Sequence, residues 1–291
     1  MSTSETLAGW ARRLQEESEI PKVFAGPFSQ VGLKPSPFPL VIFCPPFRFD
    51  RFAIAPRLLV AAGERVVCLE ELPEGVRSSE LSLSEVHAAE WGTELLSSWL
   101  RLEAHSRAGP AAIRVDFNTA SREVFHPVLE ALRERRYRGL HTDPERELTK
   151  FDPLSRVDFK LMTLGRQCLV DGAVVLRFHL QNRVSTPGPL GETVVSVPAS
   201  LAVLTQKELI LIREGDERDT GYYAGVFTFL DLAHLERLEV VPAADRPVVE
   251  LRAVLAGGAL AASVYDREGE PGLRAFAGEV VKVRWPVPAE T

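Results

Sequence analysis

A chain of 291 residues is long enough for about two domains that each bury a core, and 45% hydrophobic with 25% charged residues excludes a disordered chain. A net charge of -6 argues against a binder of duplex nucleic acid, which needs a basic face. Cys44, Cys68 and Cys168 lie far apart with no C-x-x-C spacing, so they form neither a disulfide framework nor a zinc motif and suit a reducing compartment.

The first residues, Met-Ser-Thr-Ser-Glu-Thr, are polar and acidic rather than signal-like. The most apolar stretches, Phe38 to Phe47 and Ala253 to Val264, fall short of the roughly 18 residues a membrane span requires. A cytoplasmic protein with no transmembrane segment is the expectation. In chain order, Ser2 and Glu5 have capping-box spacing, and Leu7, Trp10, Ala11 and Leu14 share a helical face. The expectation is an N-terminal helix docked on the protein's own first module, with a membrane or a second subunit as alternatives. Pro21 to Pro39 reads as a proline- and glycine-rich connector.

From Phe38 to Phe117 the pattern is that of strands. Leu58-Leu59-Val60 and Val66-Val67-Cys68-Leu69 flank the turn Ala62-Gly63-Glu64, and Leu81 and Leu83 alternate with serines. Leu100, Leu102, Ile113, Val115 and Phe117 continue the alternation. The period then changes: Phe125, Val128, Leu129 and Leu132 predict an amphipathic helix preceded by the capping candidates Asn118, Thr119 and Ser121. Arg133 to Lys150 reads as a polar stretch between modules. Asp152 to Val283 repeats the programme, with strands and then a helix opened by Pro271 that places Leu273, Phe276, Ala277 and Val280 on one face.

The halves can be overlaid. Leu58 to Glu71 (LLVAAGERVVCLEE) matches Leu201 to Glu214 (LAVLTQKELILIRE) without a gap. Leu81, Leu83, Val86 and Glu90 match Leu230, Leu232, Leu235 and Glu239, and that register sets Leu100, Leu102 and Ala104 opposite Val249, Leu251 and Ala253. Short strands closed by a helix make physical sense as a bent sheet whose open end the helix buries. Pro198 to Glu214 (PASLAVLTQKELILIRE) and Tyr222 to Val240 (YYAGVFTFLDLAHLERLEV) resemble strands of the bacterial pleckstrin-homology-like domains. The first half is similar more loosely, through Leu58 to Glu71, Leu81 to Trp91 and Phe117 to Arg133. The resemblance implies a mainly β (α+β) fold of two tandem, partly open β-barrels, each capped by a C-terminal amphipathic helix. The expected layout is a helix and connector over 1–37, modules over 38–138 and 152–284, a linker over 139–151 and a tail from 285.

No phosphate-binding loop, nucleophile elbow, zinc-protease or EF-hand motif occurs, so an enzyme is disfavoured and no cofactor is expected. The candidate binding group is Arg133, Arg135, Arg136 and Arg138, four guanidinium groups able to hold an anionic ligand or surface, or simply to complement a helix C-terminus. His141, Asp143, Glu145 and Glu147 have ligand-like spacing but read as a solvated linker, and no metal is expected. His179, beside Arg177, reads as part of a strand's solvent face, and Gly215 to Asp219 as a charged hairpin tip. Phe227 and Phe229 read as core, while Tyr222 and Tyr223 could line a peptide-binding edge. The expected function is non-catalytic binding or scaffolding toward a protein, a peptide or an anionic surface. The alternative is an enzyme or small-molecule binder with a pocket between the modules.

Overall fold

The computed structural model describes residues 10–32, 38–49, 52–94, 97–107, 109–187, 193–215, 225–243 and 247–285. The fold is predominantly β, and the chain divides into two compact units, 1–132 and 133–291.

In the first unit, β1 (Arg12–Leu14) is followed by a short 3-10 turn (Glu17–Glu19) and helix α1 (Lys22–Gln30). Then come β2 (Leu40–Cys44), the small hairpin β3 (Phe47–Phe49) and β4 (Phe52–Ile54), and β5 (Arg57–Ala62), β6 (Arg65–Leu72) and β7 (Gly75–Ser82). The sheet order is β1-β2-β5-β6-β7. A second antiparallel set, β8 (Val86–Glu94), β9 (Ser97–Ser106) and β10 (Gly109–Asn118), leads through a 3-10 turn (Thr119–Val124) into α2 (His126–Tyr137).

The second unit contains α3 (Pro144–Thr149), a 3-10 turn (Asp152–Arg156) and α4 (Phe159–Gln167). Its strands are β11 (Val175–Gln181), the small hairpin β12 (Val184–Pro187) and β13 (Thr193–Val197), then β14 (Ser200–Thr205), β15 (Glu208–Glu214) and β16 (Gly225–Asp231). After a 3-10 turn (Leu232–His234) come β17 (Leu235–Pro242), β18 (Val248–Leu255), β19 (Leu260–Asp266) and the closing helix α5 (Glu270–Arg284).

From α1 and α4 onward the order of strands and closing helix is the same in the two units, and so are the registers of the paired strands. The gap-free match of Leu58–Glu71 with Leu201–Glu214 holds in three dimensions: Leu58 pairs with Leu69 as Leu201 pairs with Ile212, and Val60 with Val67 as Val203 with Ile210. One strand earlier, Ile42 faces Leu59 and His179 faces Ala202. Both meanders even carry an irregularity at the same step, between Val86 and Ala88 and between Leu235 and Arg237. That irregularity corrects the sequence overlay, since Ala104 lies opposite Val86 and Leu255, not Ala253, lies opposite Leu235.

Five further expectations are corrected. Arg12–Leu14 is a strand and not a continuation of an N-terminal helix; the residues before Trp10 lie outside the described ones. The Pro21–Pro39 connector contains a nine-residue helix, α1, whose residues Phe24 and Phe28 are buried. The stretch from Arg133 to Lys150 is largely helical: α2 runs on to Tyr137, and Asp143 caps α3 by accepting from the Glu145 and Arg146 amides. The repeat after Asp152 begins with helices rather than strands, and the sheets are open where partly open barrels were expected.

The missed helices follow a physical logic. Leu14, Ile20, Phe24 and Phe28 form one cluster with Val41, Leu58, Val60, Val67 and Leu69, on one face of the sheet. Ile42, Leu59 and Val66, on the opposite face, are also buried. A sheet covered on both sides reads as continuous apolar runs rather than alternation, as Leu58-Leu59-Val60 does. Each phenylalanine of α1 buried there contributes roughly 1.5–3 kcal/mol, enough to hold a helix that contains Pro27. α4, equal in length to α1, takes the matching place in the second unit: Gly165 lies against Phe151 and Leu201.

The closing helices match expectation. Phe125, Val128, Leu129 and Leu132 are buried before and along α2, with Asn118 capping the turn that precedes it. Leu273, Phe276, Ala277 and Val280 form the buried face of α5.

Candidate functional site

The four arginines of the expected anion site occupy different environments. Arg133 is buried, donating through Nη2 to Glu208 Oε2 at 2.8 Å, with its guanidinium 4.1 Å from the centre of the Phe229 ring. Arg136 reaches Glu208 Oε1 at 2.6 Å and Asp231 Oδ2 at 3.2 Å. Tyr137 donates to Glu208 from 3.0 Å and lies 2.7 Å from the Thr205 hydroxyl. Arg135 is partly buried, and Arg138 alone of the four is fully exposed. Burial works to raise the Glu208 pKa, but Arg133 and Arg136 outweigh it and hold the carboxyl below its usual range. Two of the four guanidinium groups are thereby engaged inside the second unit, fastening the end of α2 to the turn between β14 and β15.

The ligand-like run around α3 does not converge. His141, Asp143 and Glu145 are exposed, whereas Glu147 is buried and accepts from Lys150 Nζ and the Val175 amide, each at 2.7 Å. No group of three His, Cys, Asp or Glu side chains among the described residues is placed to hold a metal ion. Burial pushes the Cys68 thiol up to about 11 and Cys168 to about 12, and raises Cys44 further, so all three remain protonated thiols. The charged tip at Asp216–Asp219 and the pair Tyr222 and Tyr223 lie outside the described residues.

A polar cluster inside the second unit escaped the sequence reading. His179 was expected on a solvent face, yet its ring lies 5.6 Å from Tyr265 and 6.1 Å from Phe276, centre to centre. Burial lowers its pKa. Tyr265 is fully buried and Ser200 nearly so. Burial pushes Tyr265 up to about 12, with the hydroxyls of Ser263 and Ser200 near enough to oppose that rise. His179 Nε2 has no hydrogen-bond partner among the described residues, whereas the Ser200 and Ser263 hydroxyls stand beside Tyr265 Oη.

α5 meets this cluster through glycines. A Cβ at Gly272 would stand 3.3 Å from His179 Cε1, and one at Gly269 would stand 3.4 Å from Gln181 Oε1. Gln181 in turn accepts from the Asp266 amide at 3.0 Å. Matched strand registers place Ile42, Val115 and Phe117 of the first unit where the second has His179, Ser263 and Tyr265. The same registers place Arg57, paired with Glu70 and Asp116, where the second unit has Ser200.

No known protein-family model matches this chain, and no curated protein matches it in sequence. No helix among the described residues is long and apolar enough to cross a membrane.

Proposed function

We propose that this chain is a non-catalytic binding or scaffold protein built of two tandem pleckstrin-homology-like modules, each with a helix ahead of its seven principal strands, and that its partner is a protein or peptide. The repeated order of elements, seven principal strands followed by a closing helix, supports the module assignment. Because helices cover one sheet face in each unit and the core covers the other, recognition falls to loops, edges and the outer sides of the helices.

The observation that carries the choice of partner is at the start of α4. Val157 and Phe159 are 58% and 69% exposed, on either side of the helix cap Asp158. At the matching place before α1, Ile20 is buried and Lys22 is polar. Exposed aromatic and aliphatic side chains placed together suit a protein contact better than an anionic surface. The anionic alternative rests on the exposed Arg138, since Glu208 engages Arg133 and Arg136.

Selection of a displayed random-peptide library on the intact chain, with the Phe159→Ser variant as counter-selection, tests this reading. Enriched peptides should bind the parent and lose at least tenfold in affinity to the variant. Failure to enrich, together with salt-sensitive binding to phosphatidylserine vesicles that Arg138→Ala weakens, would replace the peptide reading with the surface one.

A further inference from the structure

On the reading of this chain as a protein or peptide binder, we propose that the outer edge of β11 holds the partner as an extended segment, added to the sheet as one more antiparallel strand. The first unit already has such a strand in place. β1 pairs antiparallel with β2, setting Leu14 opposite Val41, Arg13 opposite Ile42 and Arg12 opposite Phe43. The matched registers put Phe178, His179 and Leu180 of β11 where β2 has Val41, Ile42 and Phe43. Yet β11 is last in the order β16-β15-β14-β11, and no strand among the described residues pairs with its other side.

Exposure follows that difference. Val41 and Ile42, beside β1, are both 0% exposed, whereas Phe178, His179 and Leu180 are half-buried. A strand edge leaves alternate amide and carbonyl groups unpaired, and main-chain pairing with an added strand satisfies them. The first step of the edge is already taken: the Val175 amide donates to Glu147 Oε2 at 2.7 Å, and Lys150 Nζ donates to the Val175 carbonyl at 2.8 Å. The register irregularity and the exposed Arg177 guard that same end, which leaves residues 178–180 open. Side chains then define the segment. Phe178 stacks with Phe151, ring centres 6.1 Å apart. At the matching edge of the first unit, Leu14 is buried among Val41, Phe24 and Phe28. The partner residue opposite Phe178 is therefore apolar, and the next, opposite His179, is polar, as the exposed Arg13 is opposite Ile42.

Amide hydrogen exchange in the isotope-labelled full chain reads the edge directly. In the free chain, the fastest amide among residues 178–180 should exchange at least tenfold faster than the fastest among residues 41–43. The probes are peptides enriched from the displayed library on the intact chain. Bound, they should slow exchange at residues 178–180. N-methylation of alternate peptide amides, which removes a donor and keeps every side chain, should weaken binding at least tenfold, while methylation of the amides between does not. Equal protection of both edges in the free chain overturns the proposal. So does protection of β11 that grows as the chain alone is concentrated, which identifies a second copy on the edge. Peptides that bind without slowing exchange at residues 178–180, or without any loss on methylation, overturn the added strand and leave the peptide reading standing. A library that yields no binder defeats both.

Discussion

The hairpins β5–β6 and β14–β15 have the same register, yet the residue that opens their second strand does opposite work. In the first it is Arg65, which reaches the exposed Glu80 at 2.5 Å and is itself 38% exposed along its side chain. In the second it is Glu208, wholly buried beneath Arg133 and Arg136. One backbone can thus carry an ion pair at its rim or in its interior, and desolvation rather than distance decides what the pair is worth.

The largest expected effect breaks that contrast. Glu208→Ala leaves the buried Arg133 without its carboxylate, Arg136 keeping only Asp231, and should cost about 3–5 kcal/mol in urea unfolding. Arg65→Ala should cost less than about 1 kcal/mol, because its pair is largely exposed. Replacing Arg133, Arg136 and Glu208 together by apolar residues should recover much of the loss. The folded pKa of Glu208 is depressed, so its contribution is present above the ordinary carboxylate range and is lost as pH falls through it. The acid limb of the stability curve should therefore flatten in the triple variant.

A smaller effect sharpens the comparison of α1 with α4. Phe28 is the seventh residue of α1 and is buried among Leu14 and Leu58, whereas Gly165, the seventh residue of α4, lies against Phe151 and Leu201. A Cβ at Gly165 would meet Phe151 at 2.7 Å and Leu201 at 2.9 Å. Gly165→Ala should then destabilise by about 1–3 kcal/mol through overpacking, measured by denaturant midpoint. Gly278 of α5 has nothing within 4 Å of that position, so Gly278→Ala should instead stabilise by up to about 1 kcal/mol.

The smallest expected effect concerns the imidazole in the second unit's interior. The folded pKa of His179 lies below its unfolded value, so the unfolded chain binds the proton more readily as pH falls through the ordinary histidine range. The ring's neighbours are Tyr265, Phe276 and the glycine at 272, none of them an anion that would favour the charged form. Stability should fall with acidity in that window, and His179→Phe should remove this part of the pH dependence. A slope unchanged by the substitution would show that the ring is solvated.

How much was legible varies by element. The hairpin at Leu58–Glu71 and its counterpart were readable because apolar runs flank polar turns, and α5 because four apolar residues recur at helical spacing behind Pro271. α1 was hidden by Pro27 and Gly26, which lower local helix propensity, and only the sheet face it covers restores the balance. The arginines were visible as a group, but nothing local indicated that Glu208, distant in sequence, would bury two of them. His179 had the alternation of a strand, yet alternation does not say which side of a sheet faces the core.

The sequence by itself determined the strand-rich composition, the doubled order of elements and the two closing helices, because periodicity and turn chemistry act between neighbours along the chain. Only the tertiary structure decided which polar residues are interior, because burial depends on partners brought together from distant positions. Glu208 with Arg133 and His179 with Tyr265 are both products of that second level.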